Sequence, residues 1–274
     1  MNKMKVTHPK RIILAVIAGA LAMSSFTVHA KKHEKATAVY QPKDGIVNLY
    51  GAGGPHTALI RVADAFTKKT GKKVKVNFGP EHKWKQSALQ NADIIWGTAE
   101  QSTTAFLENY KEFNSNDVEP IYIRRAVIAV PKGNPKKITG FDDLIKPGMK
   151  IVVTEGAGVY NTSGTGVWED IAGRLGSLDD VKAFRKNIIA FEKGSGASFR
   201  AFKSGNADAW ITWTHWPITH PDVADFVEIS KERAIYRDLT IVTNKKADPE
   251  TADFIAFLKG DEALKIFESE GWSK

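Results

Sequence analysis

Four short loops rich in glycine, serine and threonine are the places in this sequence where chemistry could occur. They are GAGGPHT (51–57), GTAEQST (97–103), GAGVYNTSGTG (156–166) and GSGAS (194–198). Each follows a run that predicts a strand and precedes a run that predicts a helix. Free backbone N–H groups and the positive end of the helix dipole meet there, so such a loop can hold an anion. One loop alone is better explained as a helix cap and turn, but four in one chain favour binding.

Catalytic and cofactor motifs are missing from the same loops. None has the G-x-S-x-G pattern of a nucleophile elbow, the third glycine of a dinucleotide fingerprint, or the P-loop pattern. The chain has no cysteine, which excludes thiol catalysis and thiolate metal sites. The histidines show neither H-E-x-x-H nor clustered ligand spacing. We therefore predict a protein that is not an enzyme and has no cofactor and no metal.

A few side chains outside the hydroxyl-rich runs could also contact an anion. His56, in the first loop, either donates a hydrogen bond to the anion or has a structural or solvent-exposed role. Arg124 and Arg125 begin a strand, and an arginine there either binds a ligand in a bidentate manner or pairs with an acid. Trp213 and Trp216 flank a Thr/His segment, so one of them could form a wall of a cleft.

The elements that must position these loops alternate between strands and helices. IVNLYG (46–51) and ADIIWG (92–97) predict buried strands, and KVKVNFG (73–79) alternates as a strand. The segment PHTALIRVADAFTKKTG (55–71), which lies between IVNLYG and KVKVNFG, has helical spacing. Strand–helix–strand repetition is typical of an α/β protein with a parallel sheet. A second series starts near residue 124, and its late elements could return to the first, which favours two lobes over one large domain.

The first 30 residues predict a secretory signal peptide that is cleaved after Ala30. Basic side chains precede the apolar run Ile12 to Met23, which is short for a bilayer span, and small residues fit the cleavage site. An uncleaved anchor is the alternative. Removal lowers the formal net charge from +8 to +4, because the segment carries four basic and no acidic side chains. A mildly basic periplasmic protein suits an anionic ligand and lacks the basic stripe of a nucleic-acid binder.

Longer motifs resemble a known family. LYGAGGPHTAL, NADIIWGTAEQS, NTSGTGVWEDIAGR, NADAWITW and DEALKIFESEGWSK are similar to the accessory colonization factor AcfC family, periplasmic solute-binding proteins of the sulfate/molybdate-binding type. The likeness covers nearly the whole chain after the leader. It implies a two-lobed α/β fold of the type II periplasmic-binding-protein kind, with a ligand cleft between the lobes. Lobe 1 would comprise residues 31–125 plus 235–274, and lobe 2 residues 126–234.

The resemblance also implies a function. We expect capture of a small anion for uptake through an inner-membrane ABC permease, with no role for nucleic acid. The anion would be a phosphorylated or carboxylated metabolite, or an oxyanion such as sulfate; the GPHT sequence of the first loop departs from sulfate binders and favours the larger ligand. The alternative is a colonisation-associated adhesin or surface antigen that kept the fold, in which a homodimer could form. The expected ligand-binding residues are Gly54, His56, Thr57, Gln101, Ser102, Arg125, Thr162, Ser163, Gly164, Thr165, Ser195 and Gly196.

Overall fold

A computed structural model of the chain describes Tyr40 and residues 44–155 and 166–274. The predicted signal peptide lies outside the described residues, and so do the expected ligand-binding residues Thr162, Ser163, Gly164 and Thr165. In the described ranges no helix is long and apolar enough to cross a membrane.

Strands and helices alternate in the first part of the chain, as the sequence predicts. The elements are β1 (Ile46–Gly51), α1 (His56–Thr70), β2 (Lys73–Phe78), α2 (Lys85–Asn91), β3 (Ile94–Gly97) and α3 (Glu100–Leu107). Leu59, Val62 and Phe66 are buried on one side of α1, which confirms the helical spacing. Gly71 then adopts a left-handed conformation with φ of 75° and ends the helix, a position at which glycine avoids steric strain.

The second part of the chain repeats the alternation and then returns to the first part. The elements are β4 (Glu119–Pro131), α4 (Phe141–Leu144), β5 (Ile151–Thr154), α5 (Val167–Gly173), α6 (Leu178–Lys186), β6 (Ile188–Glu192), α7 (Ser195–Ala201), β7 (Ala209–Trp213), α8 (His215–Thr219), β8 (Ala224–Glu228), β9 (Tyr236–Thr243), α9 (Glu250–Leu258), α10 (Asp261–Glu268) and β10 (Trp272–Ser273). The sequence patterns did not predict α2, α8, β8 or β10, which are short and carry weak periodicity.

One long strand, β4, belongs to two groups of strands. In the first group β1 pairs in parallel with β2 and β3, while β9 pairs antiparallel with β3 and with β4 up to Arg125. From Ala126 onward β4 pairs antiparallel with β7 and β8, and β5 lies parallel between β6 and β7. The sheet is therefore mixed: the pairs of β1 and β5 with their neighbours are parallel, as strand–helix–strand repetition predicts, while β4 and β9 run antiparallel to their neighbours.

Each group of strands has its own apolar core, so the α/β fold has two lobes. In the first lobe, α1, α9 and α10 pack on the sheet through Phe66, Phe254 and Phe267. In the second, Trp168 and Phe184 of α5 and α6 pack against β5 and β7. The cores share β4, which ties the two lobes through one continuous backbone.

Close packing at the end of β1 gives a test of this arrangement. A Cβ at Gly51 would lie 2.4 Å from both Cδ2 and the carbonyl oxygen of Trp96. We expect Gly51→Ala to lower the free energy of unfolding by about 1–3 kcal/mol, since such overpacking forces the ring or the backbone to move. Urea unfolding followed by circular dichroism measures this.

Gly53→Ala is the matched control, because a Cβ at Gly53 would meet nothing within 4 Å and its φ is not positive. Its free energy of unfolding should stay within about 0.5 kcal/mol of the parent protein. Equal stability of the two variants would contradict the packing described for β1 and Trp96.

Candidate functional site

The described glycine- and hydroxyl-rich loops lie where the sequence predicts them. The first joins β1 to α1, the second joins β3 to α3, and the fourth joins β6 to α7. The third lies outside the described residues except for Gly166, which precedes α5. In open α/β sheets ligands bind beyond the carboxyl ends of strands, so the loops mark the edge at which to look for a site.

Arg124, next to the first loop, is a buried cation that forms no ion pair with any carboxylate of the described residues. It lies on β4 with 1% of its surface exposed. Its guanidinium carbon is 4.5 Å from the centroid of the Trp213 ring and 4.9 Å from that of Trp272. Among the described residues, Nε and Nη2 have no hydrogen-bond partner. Buried polar atoms are nearly always paired, so this guanidinium has the donors to hold an anion.

The electrostatics around Arg124 support this interpretation. Burial lowers the pKa of Arg124 to about 9; the charge of Asp238 opposes the shift, and the charge of Arg237 adds to it. The guanidinium therefore stays positive at neutral pH, but its surroundings disfavour the charge. An anion placed against Nε and Nη2 would remove much of that cost.

His215 begins α8 and lies beside Arg124. Its Nδ1 is 3.4 Å from Arg124 Nη1, and because Nη1 can only donate, Nδ1 must be the unprotonated acceptor. The hydrogen of the neutral ring is then on Nε2, a buried atom without a partner in the described part of the chain. Burial, followed by the charge of Arg124, lowers the pKa of His215 well below 6.5. His215 thus presents a neutral N–H donor.

His56, the first residue of α1, adds a second imidazole to the group. Its ring stacks on Phe78 with centroids 4.0 Å apart, and its Nδ1 is buried without a partner among the described atoms. Burial lowers the pKa of His56 from 6.5, Glu270 raises it and His220 lowers it. We call Arg124, His215 and His56 the donor cluster.

The first loop and an aromatic wall enclose the donor cluster. A Cβ at Gly54 would lie 3.0 Å from Arg124 Nη1 and 3.9 Å from His215 Cε1, so glycine lets the loop backbone approach the cluster. Trp216 on α8 packs against Phe199 of α7, with ring centroids 5.2 Å apart. The indole Nε1 of Trp216 is a further buried donor with no partner in the described ranges.

Of the expected ligand-binding residues, Gly54 and His56 lie at the donor cluster. Thr57, which follows His56, donates a 2.5 Å hydrogen bond from its hydroxyl to Glu270. The Ser102 hydroxyl donates to the Ala99 carbonyl within its own loop, at 2.8 Å. Gln101 is exposed to solvent. The hydroxyls of Thr57 and Ser102 are therefore engaged with the protein itself.

The remaining described residues of that set lie elsewhere. Ser195 and Gly196 begin α7, the helix that carries Phe199 to the aromatic wall. Arg125 forms an ion pair with Glu228 on β8, the acid-pairing alternative that the sequence left open. Successive side chains of a strand point to opposite sides, so the arginine that faces the cluster is Arg124.

The expected ligand-binding set contains Arg125 but not Arg124, His215 or Trp216, although the sequence offered either arginine as a ligand contact and Trp216 as a wall of the cleft. A signal for Arg124 exists: it is two positions from the buried apolar residues Tyr122 and Ala126, and so belongs to the buried side of β4. His215 carries only a weaker signal, as it follows the apolar run of β7 by two positions. No group of three acidic, histidine or cysteine side chains in the described ranges could hold a metal.

Comparisons with known proteins find a matching family and similar solved structures. Residues 47–273 match the model of a family described as bacterial extracellular solute-binding protein. Crystal structures of PEB3 from Campylobacter jejuni are similar at 46% identity, covering 83% of this chain and 99% of that one. The TM-score is 0.80 for PEB3 bound to L-phospholactate.

More distant relatives bind inorganic anions. The periplasmic molybdate-binding protein of Azotobacter vinelandii is 18% identical with a TM-score of 0.62, covering 83% of this chain and 99% of that one. The sulfate-binding protein of Escherichia coli is 25% identical over 53% of this chain, and the match spans about half, 49%, of that relative's length. The match to the Salmonella typhimurium protein, 31% identical over 34% of this chain, spans 30% of it. The fold is that of type II periplasmic binding proteins.

Because the charge of Arg124 has no ion-pair partner among the described residues, we expect Arg124 to lower the stability of the ligand-free protein while it contributes to binding. We expect Arg124→Met to raise the free energy of unfolding, measured without ligand at pH 7, by at least about 1 kcal/mol, since it removes a buried uncompensated charge. Because the folded-state pKa is lowered, the cost is complete below about pH 9 and is relieved as the pH rises above that.

Arg125→Met is the control on the adjacent position. Its side chain is 35% exposed and paired with Glu228, so the free energy of unfolding should change by less than about 1 kcal/mol. Chemical denaturation of both variants makes the comparison. A clear loss of stability in Arg124→Met would show that stacking on the two indoles outweighs the cost of burying the charge.

Proposed function

The chain belongs to the bacterial extracellular solute-binding protein family, and from this premise we propose that it captures a small phosphorylated carboxylate in the periplasm. It would then deliver the ligand to an inner-membrane ABC permease. Binding would occur without chemical turnover, as the curated relatives are named as binding proteins. The motifs shared with the accessory colonization factor AcfC family support a place for this chain in that group.

The donor cluster is the observation that carries this proposal. Arg124 offers unpartnered charged donors, His215 offers a neutral N–H, and His56 adds a third buried polar group. Among the described residues no carboxylate forms an ion pair with Arg124. A guanidinium whose donors are free suits bidentate recognition of a phosphoryl or carboxylate group.

The likeness to PEB3 narrows the ligand class. PEB3 has been crystallised with L-phospholactate, which carries both a phosphoryl group and a carboxylate. At 46% identity over most of both chains, a ligand with two anionic groups is the best choice for this protein also. One group would bind the donor cluster. The other would reach the loop at 156–165, as the Thr-Ser-Gly stretch of that loop leads us to expect.

We place the hinge at the strands that connect the lobes. β4 changes its pairing partners between Arg125 and Ala126, and the segment before β9 returns to the first lobe near residue 235. These two points support the lobe boundaries that we expect from the sequence, between residues 125 and 126 and between residues 234 and 235. Closure around the ligand would be a hinge movement of the lobes about these connecting strands.

Replacing Arg124 tests the proposed function directly. We expect Arg124→Gln to weaken the Kd for L-phospholactate by at least about 100-fold, because loss of one partner from a buried charged contact costs several kcal/mol. Arg125→Gln should change the Kd by less than about 3-fold, since its partner is Glu228. Titration calorimetry at pH 7.5 measures both, with inorganic phosphate and L-lactate as partial ligands. If the two variants bind alike, the donor cluster is not the ligand site.

The loop outside the described residues gives a second test. We expect Thr162→Ala combined with Ser163→Ala to weaken L-phospholactate binding strongly, because two hydroxyl donors are lost. Circular dichroism and the melting temperature should remain those of the parent protein. Unchanged affinity by calorimetry would remove this loop from the site.

A further inference from the structure

The charges of the donor cluster do not match those of its proposed ligand. Arg124 supplies one positive charge, and His215 and His56 are neutral at pH 7 because burial lowers their pKa values. A phosphoryl ester has a second pKa of about 6, so at pH 7.5 it carries two negative charges. A bound dianion would keep an unmatched charge in a site whose polar groups are almost fully buried, and this is costly.

His215 is poorly suited to supply the missing charge. Its Nδ1 lies 3.4 Å from Arg124 Nη1, which is a donor. A proton on Nδ1 would put two N–H groups face to face and two cations side by side. The Arg124 contact therefore keeps His215 in one neutral tautomer, with Nε2–H available to the ligand.

His56 has a different environment. Its Nδ1 is buried, and no donor in the described ranges occupies it. The charged or titratable groups that act on its ring are Glu270, which follows α10, and His220 and His215, at the two ends of α8. Arg61, about one turn further along α1, forms an ion pair with Glu270, with 3.0 Å between Nη1 and Oε1. His56 thus has a ring nitrogen that no described donor occupies, so a second N–H can form there. The nearby carboxylate of Glu270 favours the cationic ring.

We propose that His56 takes up a proton when a dianionic ligand binds, while His215 stays a neutral donor. This inference rests on the proposed function. An opposite charge within about 4–6 Å raises the pKa of a histidine, which favours the cationic form of His56 when the dianion is bound. The proton adds a second positive charge and a second donor. The site then selects dianionic phosphoryl groups over monoanionic carboxylates.

Binding should consequently become tighter as the pH falls. Between pH 8 and 7 the affinity should rise by up to about 10-fold, the limit for uptake of one proton. The ligand itself exchanges few protons in that range because its phosphoryl group is already a dianion.

Calorimetry in buffers of different ionisation enthalpy measures the proton directly. L-phospholactate is titrated at pH 7.5 into the wild type, His56→Gln and His220→Gln. The wild type should show net proton uptake, with a limit of one proton per ligand bound. His220→Gln should retain this uptake, and His56→Gln should lose it. In the wild type, ¹⁵N NMR should show one imidazole moving to the chemical shift of the cationic form when the ligand saturates the protein. This measurement needs no variant.

The outcomes separate the two proposals. Binding without proton uptake in the wild type, or uptake that survives in His56→Gln, would overturn this inference and leave the proposed function standing. Absence of L-phospholactate binding by the wild type would overturn the proposed function itself.

Discussion

The site depends on one guanidinium, that of Arg124, which lies between two indole rings and has no ion-pair partner among the carboxylates of the described residues. Trp213 contacts the guanidinium from the end of β7. Trp272 contacts it from β10, where Trp272 lies opposite Arg124 in the antiparallel pairing of β10 with β4. Three segments far apart in the sequence must meet for this to happen. The shared strand β4 makes it possible, because its first half belongs to one lobe and its second half to the other.

Close contacts between the lobes keep this arrangement in place. Gly54 brings the first loop within reach of Arg124, where any side chain would compete with a ligand for space. On the other side, the Thr214 hydroxyl donates a 2.8 Å hydrogen bond to the Gly271 carbonyl, which joins the start of α8 to the segment before β10. A Cβ at Gly271 would lie 2.7 Å from Ile218 Cδ1, so glycine is needed for this approach as well. A movement of the lobes would change the contacts of α8, and with them the position of His215.

Local patterns in the sequence predict the elements and the loops, but not the centre of the site. Helical spacing locates α1, and apolar runs locate β1 and β3, because these signals depend on neighbours within a few residues. The choice between Arg124 and Arg125 depends on which face of β4 the rings of Trp213 and Trp272 lie on, and both tryptophans are more than 80 residues away in sequence. Trp84 likewise lies in the core, with its Nε1 donating a hydrogen bond to the Gly79 carbonyl. Burial of that kind is a property of the assembled fold.

The fold therefore indicates the class of protein, and the donor cluster indicates the class of ligand. Likeness to the molybdate-binding protein at 18% identity establishes a type II fold and leaves the ligand open. A site of neutral donors alone would suit a fully ionised oxyanion, whose charge is balanced by many weak dipoles. Here one fixed cation lies beside two imidazoles, one held neutral by that cation and one next to Glu270. Such a site can vary its total charge by one unit. This property favours an anion of higher charge than a single carboxylate, and a phosphorylated carboxylate meets that requirement.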